Sequence, residues 1–214
     1  VDDFPVMDIN ELDTTIEIES NLLKNLIDNC KFCMGLDESR QYLNGIFLHL
    51  SKKLISTVAT DGHRLSKSSL TKDFSGEFDG IIIPKKTVFE ISKILEEYGN
   101  KVIMNFSKTR LKIVLGELKI ITKLINSSFP DYESVIPSNN DQIMIVDCKS
   151  FSESIDRVST ISSEKFRTVK FDIANNLCVV SSFGSEKSTG IEKVKVDYSG
   201  PAFSINFNSR YVLD

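Results

Sequence analysis

The chain has 214 residues, 41% of them hydrophobic and 26% charged, and its formal net charge is −4. This length can bury a hydrophobic core without disulfide or metal supports, and it corresponds to one large domain or two small ones. The acidic balance argues against a protein whose whole surface binds nucleic acid, although a local basic face stays compatible with it. Because the sequence shows neither a leader peptide nor an apolar run of ~18 residues, we expect no membrane partner.

Histidine and cysteine are scarce, with two and four residues, which leaves little material for metal or catalytic chemistry. Cys30 and Cys33 form a lone C-x-x-C, but a zinc site needs a second pair or histidines at matching spacing. A thioredoxin-like motif opens a helix, whereas this one falls late in a predicted helix. We therefore interpret both as core cysteines, expect no metal or cofactor, and predict a reducing, cytoplasmic location.

The N-terminal part of the chain predicts a linker, a strand and a helix. Residues 1–13 are acidic and lack a hydrophobic period, which is typical of a linker, and Thr14–Glu19 alternates as a strand does. Apolar residues then recur at helical spacing over Leu22–Cys30. Ser20 is the expected N-cap of this helix, and Gly35 is the expected left-handed stop.

A second helix is predicted at Lys86–Tyr98, directly after Pro84, whose fixed φ favours a helix start. The Asp61-Gly62 dipeptide is typical of a hairpin turn. The alternating segments around these elements predict strands at Tyr42–Leu50, Lys53–Thr60, Arg64–Leu70, Gly80–Ile83, Lys101–Asn105, Arg110–Leu115 and Leu118–Ile125.

After this unit, the proline-containing residues 128–141 predict a connector, and a shorter set of elements follows. Asp147 is the expected N-cap of a helix whose apolar residues run from Phe151 to Ile161. Asn208 is expected to cap a further helix that begins near the end of the sequence. Strands are predicted at Gln142–Val146, Thr168–Ile173, Leu177–Ser182, Thr189–Val196 and Ala202–Phe207.

The two halves repeat the same order of elements. Glu19-Ser20 opens the first helix as Asp147-Cys148 opens the later one. We interpret 14–127 as one complete domain and 142–214 as an incomplete second copy. Two helices among many strands predict an α+β fold, with helices packed on antiparallel sheet. Both ends of the sequence look cut, so we expect a piece of a longer protein.

Lysines recur on the polar side of both predicted helices. Lys24 and Lys31 lie seven positions apart on the first, as do Lys86 and Lys93 on the second. Such helix faces could follow phosphates without reading bases. Acidic residues share these faces, and most such charges are simply solvated, so the pattern alone favours an ordinary surface.

The segment TVATDGHRL, Thr57–Leu65, contains the residues of the chain that are best suited to a catalytic role. Asp61 could orient His63 as a general base, which would make the protein a hydrolase or a transferase. However, no serine or cysteine nucleophile stands in a recognisable context, and the other histidine, His49, lies in an alternating strand. The alternatives are an ordinary hairpin turn at Gly62 and a purely structural repeat module.

Several segments together resemble the bacterial DNA polymerase III β subunit family, the replicative sliding clamps. They are YLNGIFLHL, LISTVATDGHRLS, IIIPKKTVFEISKIL and INSSFPDYESVIP, followed by SSEKFRTVKF and YSGPAFSINFNSRYVLD. The resemblance covers essentially the whole chain in order. It implies the middle domain and part of the third domain of a subunit that closes, as a homodimer, into a ring around duplex DNA. It implies no enzymatic activity, only tethering of the polymerase to DNA.

The resemblance also implies a pocket between the middle and third domains for short linear motifs. Those motifs come from the DNA polymerase III alpha subunit, the clamp loader, other polymerases and repair proteins. Ser134 departs from the family pattern, because an arginine often stands there. The matching pocket positions are Leu43, Thr60, Gly62, His63, Arg64, Leu65, Pro130, Val135, Ile136, Asn208 and Tyr211.

Non-specific contact with double-stranded DNA suits a sliding ring, because such contact must be loose and blind to sequence. Positions that match the family's inner face are Arg40, Tyr42, Lys85, Lys86, Lys165 and Arg167. Lys24 and Lys31 are added to this set from their helix phase. Thr160 and Ile161 match positions that face the partner subunit in the family's dimer interface.

Overall fold

The computed structural model describes residues 12–51, 53–71, 78–97, 99, 101–162, 167–184 and 188–214. These residues divide into two compact units, Val1–Ser134 and Val135–Asp214, and each is described by itself. Three expectations lie wholly or mainly outside the described residues. They concern Lys165, the Tyr98 end of the second helix and most of the 1–13 linker.

The first unit consists of two four-stranded antiparallel sheets and two helices. The helices are α1 (Ser20–Lys31) and α2 (Lys85–Glu97). The strands are β1 (Thr14–Glu19), β2 (Gly45–Ser51), β3 (Leu54–Thr60), β4 (Leu65–Thr71), β5 (Phe78–Pro84), β6 (Lys101–Phe106), β7 (Arg110–Leu115) and β8 (Leu118–Lys123). One sheet has the order β4-β3-β2-β5 and the other has the order β1-β6-β7-β8.

Helix α1 covers the inner face of the β4-β3-β2-β5 sheet, because its apolar stripe repeats every three to four residues. Leu23, Leu26 and Ile27 of this stripe are buried in the core of the unit. Thr57 of β3 donates from Oγ1 to the main-chain oxygen of Leu26 over 2.7 Å, which satisfies a buried hydroxyl. Cys30, at the end of the stripe, contacts the main-chain oxygen of Thr57 at 3.3 Å from Sγ.

The interpretation of Cys30 and Cys33 as core residues is confirmed, since both are buried and neither forms a disulfide. Burial also raises the pKa of the Cys30 thiol, which keeps it protonated and unreactive. In the described residues no group of three or more His, Cys, Asp or Glu side chains could hold a metal ion. Among the same residues, none of the helices combines the length and the apolarity that crossing a lipid bilayer requires.

Two predicted helix ends are wrong. Glu19 is the N-cap of α1, and Ser20 is already the first helical residue, because strand β1 runs into the helix without an intervening residue. The helix ends at Lys31 with Phe32 as its C-cap, in the right-handed region. Gly35 is therefore not a left-handed stop. Its N–H instead donates to the main-chain oxygen of Leu43 over 2.8 Å.

The predicted strand Tyr42–Leu50 is wrong over its first residues, which form a 3₁₀ segment at Glu38–Leu43. Asp37 begins this segment because its carboxylate accepts from the Ser39 N–H over 2.9 Å. Leu43 is only 4% exposed, so its apolar side chain is buried from the 3₁₀ segment rather than from a strand.

The second unit is a four-stranded antiparallel sheet of order β11-β10-β9-β12 with two helices. Asp147 and Asn208 cap the two helices, as predicted, by accepting from the N–H groups of Ser150 and Arg210. The elements are α3 (Cys148–Ser159), β9 (Thr168–Ala174), β10 (Leu177–Phe183), β11 (Thr189–Lys195), β12 (Phe203–Asn208) and α4 (Ser209–Leu213).

Two expectations for this unit are wrong. Gln142–Val146 is not a strand, since it makes a single bridge, Ile145 with Asp197, and the Ile143 and Ile145 side chains stay exposed. Helix α3 ends at Ser159, so Ile161 follows the helix instead of belonging to its stripe. The predicted α+β class is confirmed, because both units place helices against antiparallel sheets.

Candidate functional site

The segment Thr60–Leu65 forms a locked turn between β3 and β4. Gly62 has φ +90°, a conformation that favours glycine. Thr60 Oγ1 accepts from the Gly62 N–H over 3.1 Å and donates to the Arg64 main-chain oxygen over 2.7 Å. Asp61 Oδ1 accepts from the N–H groups of His63, at 2.9 Å, and Arg64, at 3.1 Å. The turn is thus held in one shape by its own polar side chains.

Arg64 joins this turn to the end of helix α1. Its Nε donates to Asp61 Oδ2 over 3.1 Å, and its Nη2 donates to the main-chain oxygen of Phe32 over 2.8 Å. The guanidinium also lies over the Phe32 ring, 5.4 Å from its centroid. Burial works to raise the pKa of Asp61, but the hydrogen bonds from His63 and Arg64 outweigh it and lower the pKa. Asp61 is therefore ionised, and its carboxylate stabilises the turn by accepting the hydrogen bonds from His63 and Arg64.

Arg40 approaches the same turn from the 3₁₀ segment. A Cβ atom on Gly62 would lie 2.7 Å from Arg40 Nη1, so the end of the Arg40 side chain lies close against this glycine. Arg40 Nε in turn donates to Asp37 Oδ2 over 3.0 Å. The exposed turn at Gly62 is therefore approached by Arg40 and contains Arg64, and each arginine is held by an aspartate.

The structure brings five of the predicted pocket residues into this one turn: Thr60, Gly62, His63, Arg64 and Leu65. Leu43 lies in the neighbouring 3₁₀ segment. Pro130 is exposed, although its connector neighbours Phe129 and Tyr132 are wholly or partly buried.

The remaining predicted pocket residues belong to the second unit. Val135 is 66% exposed, and Ile136 and Tyr211 are exposed as well. Asn208 is half-buried, and its Oδ1 accepts from the Arg210 N–H over 3.0 Å. Apolar side chains left in solvent are what a peptide-binding surface requires, so Val135, Ile136 and Tyr211 are suited to the role that the resemblance gives them.

Lys24 and Lys31, which were expected to face DNA, converge on a single carboxylate between α1 and α2. Asp28 accepts from Lys24 Nζ at 2.5 Å and from Lys31 Nζ at 2.8 Å. Ser92 of α2 donates to Asp28 over 2.7 Å, and Lys31 also donates to Ser92 over 2.9 Å. Burial would raise the pKa of Asp28, but the hydrogen bonds from these three residues lower it to about 2. Lys31 and Asp28 therefore join the two helices through Ser92, and Lys24 pairs with Asp28 on its own helix.

Replacing Asp28 by asparagine is expected to cost about 1–2 kcal/mol of unfolding free energy at neutral pH, allowing for its part exposure. The lowered pKa means that Asp28 stabilises the fold above its unfolded pKa of 3.8. This contribution is lost as the pH falls through about 2. Denaturant unfolding at neutral and acid pH measures both effects. Glu90→Gln, at an exposed position on α2, is the control; an equal loss in both variants would contradict the role of Asp28.

The other predicted DNA-facing residues are spread over both units. The Lys85 N–H donates to the main-chain oxygen of Asn44 over 2.9 Å, which brings the start of α2 beside the 3₁₀ segment that carries Tyr42. Lys85 lies over the Phe89 ring at 5.9 Å, and burial lowers its pKa. Lys86 is exposed, as is Arg167 in the second unit.

The two expected dimer residues follow helix α3. Thr160 is exposed, and its Oγ1 donates to the main-chain oxygen of Arg157 over 2.8 Å. Ile161 is half-buried against the β10–β11 hairpin, since a Cβ atom on Gly190 would lie 2.8 Å from Ile161 Cδ1. Part of the Ile161 side chain therefore packs within its own unit.

Sequence reasoning missed the residues that support the turn. Phe32 and Asp37 hold the two arginines, and Phe32 carries no motif that would have singled it out. For Asp37 a signal existed, because an aspartate two residues before a serine is typical of a local cap.

Comparisons with known proteins agree with the fold. Residues 17–131 match the family described as DNA polymerase III beta subunit, central domain, and residues 133–214 match DNA polymerase III beta subunit, C-terminal domain. The beta sliding clamp of Caulobacter vibrioides is 36% identical over 217 residues, which cover 99% of this chain and 58% of the relative. The chain thus spans a little over half the length of the relatives it matches.

Solved structures give the same result. The sliding clamp (DNA polymerase III subunit beta) from Bartonella birtlesii bound to griselimycin has a TM-score of 0.93 at 34% identity. DNA polymerase III subunit beta from Pseudomonas aeruginosa has a TM-score of 0.96 at 30% identity. Each match covers 99% of this chain and 58% of the other. The resemblance found in the sequence is confirmed, and the chain belongs to the DNA polymerase III beta subunit family.

Proposed function

We propose that the protein acts as a replicative sliding clamp, which encircles duplex DNA as a homodimeric ring and tethers the replicative polymerase. The observation that carries this proposal is the similarity to beta sliding clamps over 99% of the chain, in both sequence and fold. The other proposed partners are the clamp loader, further polymerases and repair proteins. Because the family is non-enzymatic, we propose no catalytic role.

The hydrolase or transferase hypothesis receives no support. The carboxylate of Asp61 accepts main-chain N–H groups and the Arg64 guanidinium, which explains the residue as part of a turn. A location in the cytoplasm is proposed because the four cysteines form no disulfide.

The proposed domain boundaries are 14–127 for the complete central domain, 128–141 for the connector and 142–214 for the third domain. The division of the structure between Ser134 and Val135 falls inside this connector and supports the proposal.

Peptide binding is proposed for the locked turn. Leu65 offers an apolar contact, Gly62 lets a peptide backbone approach closely, and His63 lies at an exposed rim. The resemblance extends the proposal to Leu43, Pro130 and the four second-unit residues, each testable by its own substitution. The ligands are short segments with apolar or aromatic residues near one end.

DNA contact is proposed for Arg40, Tyr42, Lys85, Lys86, Lys165 and Arg167, with a smaller contribution from Lys24 and Lys31. The Asp28 carboxylate offsets part of the positive charge of those two lysines. A net charge of −4 is compatible with this function, because a ring retains DNA by enclosure and needs only a mildly basic inner face.

Retention on circular DNA tests the proposed function. The full-length natural protein is loaded onto nicked circular DNA by its clamp loader and isolated by gel filtration. We expect it to stay with the circle in high salt and to be released when a restriction enzyme linearises the DNA. Equal retention on circular and linear DNA, or none on either, would overturn the proposal.

A further inference from the structure

We propose that Phe129 and Tyr132 are positioning residues that hold the connector on the first unit and thereby fix Pro130 next to the peptide-binding turn. This inference rests on the proposed peptide-binding function. It adds a role for two connector side chains that pack on the sheet on either side of a site residue in sequence.

The first anchor is a stack between the connector and strand β2. The Phe129 and Phe47 rings are nearly parallel, with an interplanar angle of 2° and a centroid separation of 4.8 Å. Phe47 points away from the core, because its neighbours in β2, Ile46 and Leu48, are fully buried on the opposite face. The neighbouring strand leaves room for this ring, since a Cβ atom on Gly80 would lie 2.2 Å from Phe47. The sheet therefore accommodates the Phe47 ring, on which Phe129 stacks, because Gly80 has no side chain.

The second anchor is Tyr132, which is 6% exposed. Its hydroxyl lies 2.9 Å from His49 Nε2 and donates to Glu133 Oε1 over 3.3 Å. In the tautomer that completes this chain, His49 donates to the Tyr132 hydroxyl. Lys67 lies 4.9 Å from the centre of the Tyr132 ring and 3.5 Å from Glu133 Oε1. The β4-β3-β2-β5 sheet therefore provides partners for the Tyr132 ring, the Tyr132 hydroxyl and the Glu133 carboxylate.

Both anchors share one face of the sheet with the turn. Phe47 pairs with Val58 of β3, and Val58 pairs with Lys67 of β4, so the three form one cross-strand row. Thr60 and Leu65 form the next row on this face, two residues along each strand, which is about 7 Å away. Phe129 stacks on Phe47 of the first row, whereas Tyr132 lies over Lys67 of that row and reaches His49, which pairs with Ser56 one row farther from the turn. Pro130 lies between these anchors in sequence, so holding them keeps it on the face that carries Thr60 and Leu65.

This arrangement predicts a preformed site. A connector without its anchors would have to be ordered each time a peptide binds, and that ordering costs affinity. Removing the Phe129 ring is expected to weaken peptide binding roughly three- to tenfold, on the scale of one or two side chains immobilised on binding.

Variants of Phe129 test the inference by fluorescence anisotropy with a labelled peptide from the C-terminus of the cognate polymerase subunit. We expect Phe129→Ala to weaken binding and Phe129→Tyr, which keeps the ring, to restore it. Tyr198→Phe is the matched control, because Tyr198 is a buried second-unit residue whose hydroxyl donates to Pro201. It should lower stability without changing peptide affinity. Wild-type affinity in Phe129→Ala, or an equal loss in both variants, would overturn the positioning role.

A relaxation measurement reads out the positioning without any peptide. The ¹⁵N order parameters of Asp131 and Tyr132 are expected to fall in Phe129→Ala, while those of Thr60 and Leu65 stay unchanged. Unchanged order parameters in the connector would overturn the inference whatever the peptide data show. If the wild-type chain binds peptide but these order parameters do not fall in Phe129→Ala, the proposed function stands and only the positioning role is rejected. If the wild type binds no peptide, both fail.

Discussion

Leu65→Lys is expected to weaken binding of the polymerase-derived peptide by at least roughly tenfold, because apolar anchors in a pocket carry most of the binding energy of such a complex. Leu65 is half-buried at the start of β4 and lies beside Thr60, at the end of the locked turn. A lysine there would place a charge where the peptide's apolar residue has to be desolvated. Fold stability should change little, since the position is already partly in solvent. Fluorescence anisotropy measures the affinity.

Leu54→Lys is the matched control for this variant. Leu54 is half-buried in the same β3–β4 hairpin, at the end opposite the turn, where it pairs with Thr71. The control should bind the peptide with wild-type affinity. Unchanged affinity in Leu65→Lys, or the same loss in Leu54→Lys, would mean that the turn is not the binding surface.

Gly45→Ala is expected to lower the free energy of unfolding by about 3 kcal/mol, the upper part of the range for overpacking a core. Gly45 is buried at the start of β2, opposite Pro84. A Cβ atom there would lie 2.3 Å from the main-chain oxygen of Ile83 and 3.0 Å from its carbonyl carbon. Both neighbours are main-chain atoms of the paired strand, so relief requires β2 and β5 to move apart.

Denaturant unfolding measures this effect, with Gly99→Ala as the control. A Cβ atom on Gly99 meets nothing within 4 Å, so that variant should unfold within about 0.5 kcal/mol of wild type. A Gly45→Ala protein as stable as Gly99→Ala would contradict the described β2–β5 pairing.

Local patterns predicted much of the fold. The helical periods of α1 and α2 were read from their apolar residues, and those residues are the ones that pack in the core. The caps at Asp147 and Asn208 were predicted because an aspartate or asparagine satisfies the first N–H groups of a helix locally. The Gly62 turn was predicted for a similar reason, since its geometry depends on a few adjacent residues.

The errors arose where contacts outside the segment decide its structure. Tyr42 and Leu43 alternate as a strand would, but the Leu43 main-chain oxygen accepts from the Gly35 N–H and the adjacent Asn44 side chain donates to the Asp37 main-chain oxygen, which favours the 3₁₀ segment. Ile143 and Ile145 also alternate, yet their segment makes only one bridge. Alternation shows that a segment suits a sheet, but it cannot show whether a partner strand is available.

The candidate site divides in the same way. The resemblance supplied Thr60–Leu65, and the structure brings these residues into one turn. The stack of Phe129 on Phe47 and the hydrogen bond from Ser92 of α2 to Asp28 could not be read from the sequence, whereas Lys24 and Lys31 lie within four residues of Asp28 on one helix. The stack and the Ser92 bond both depend on elements that are far apart in the chain and meet only after folding.

The most direct test of the proposed site is a chemical-shift map of the ¹⁵N-labelled 214-residue chain titrated with the unlabelled polymerase peptide. We predict the largest amide shifts at Thr60–Leu65, with further shifts at Asp131 and Tyr132 beside Pro130. Saturating peptide that leaves these amides unmoved, or moves only residues away from the turn, would contradict the account.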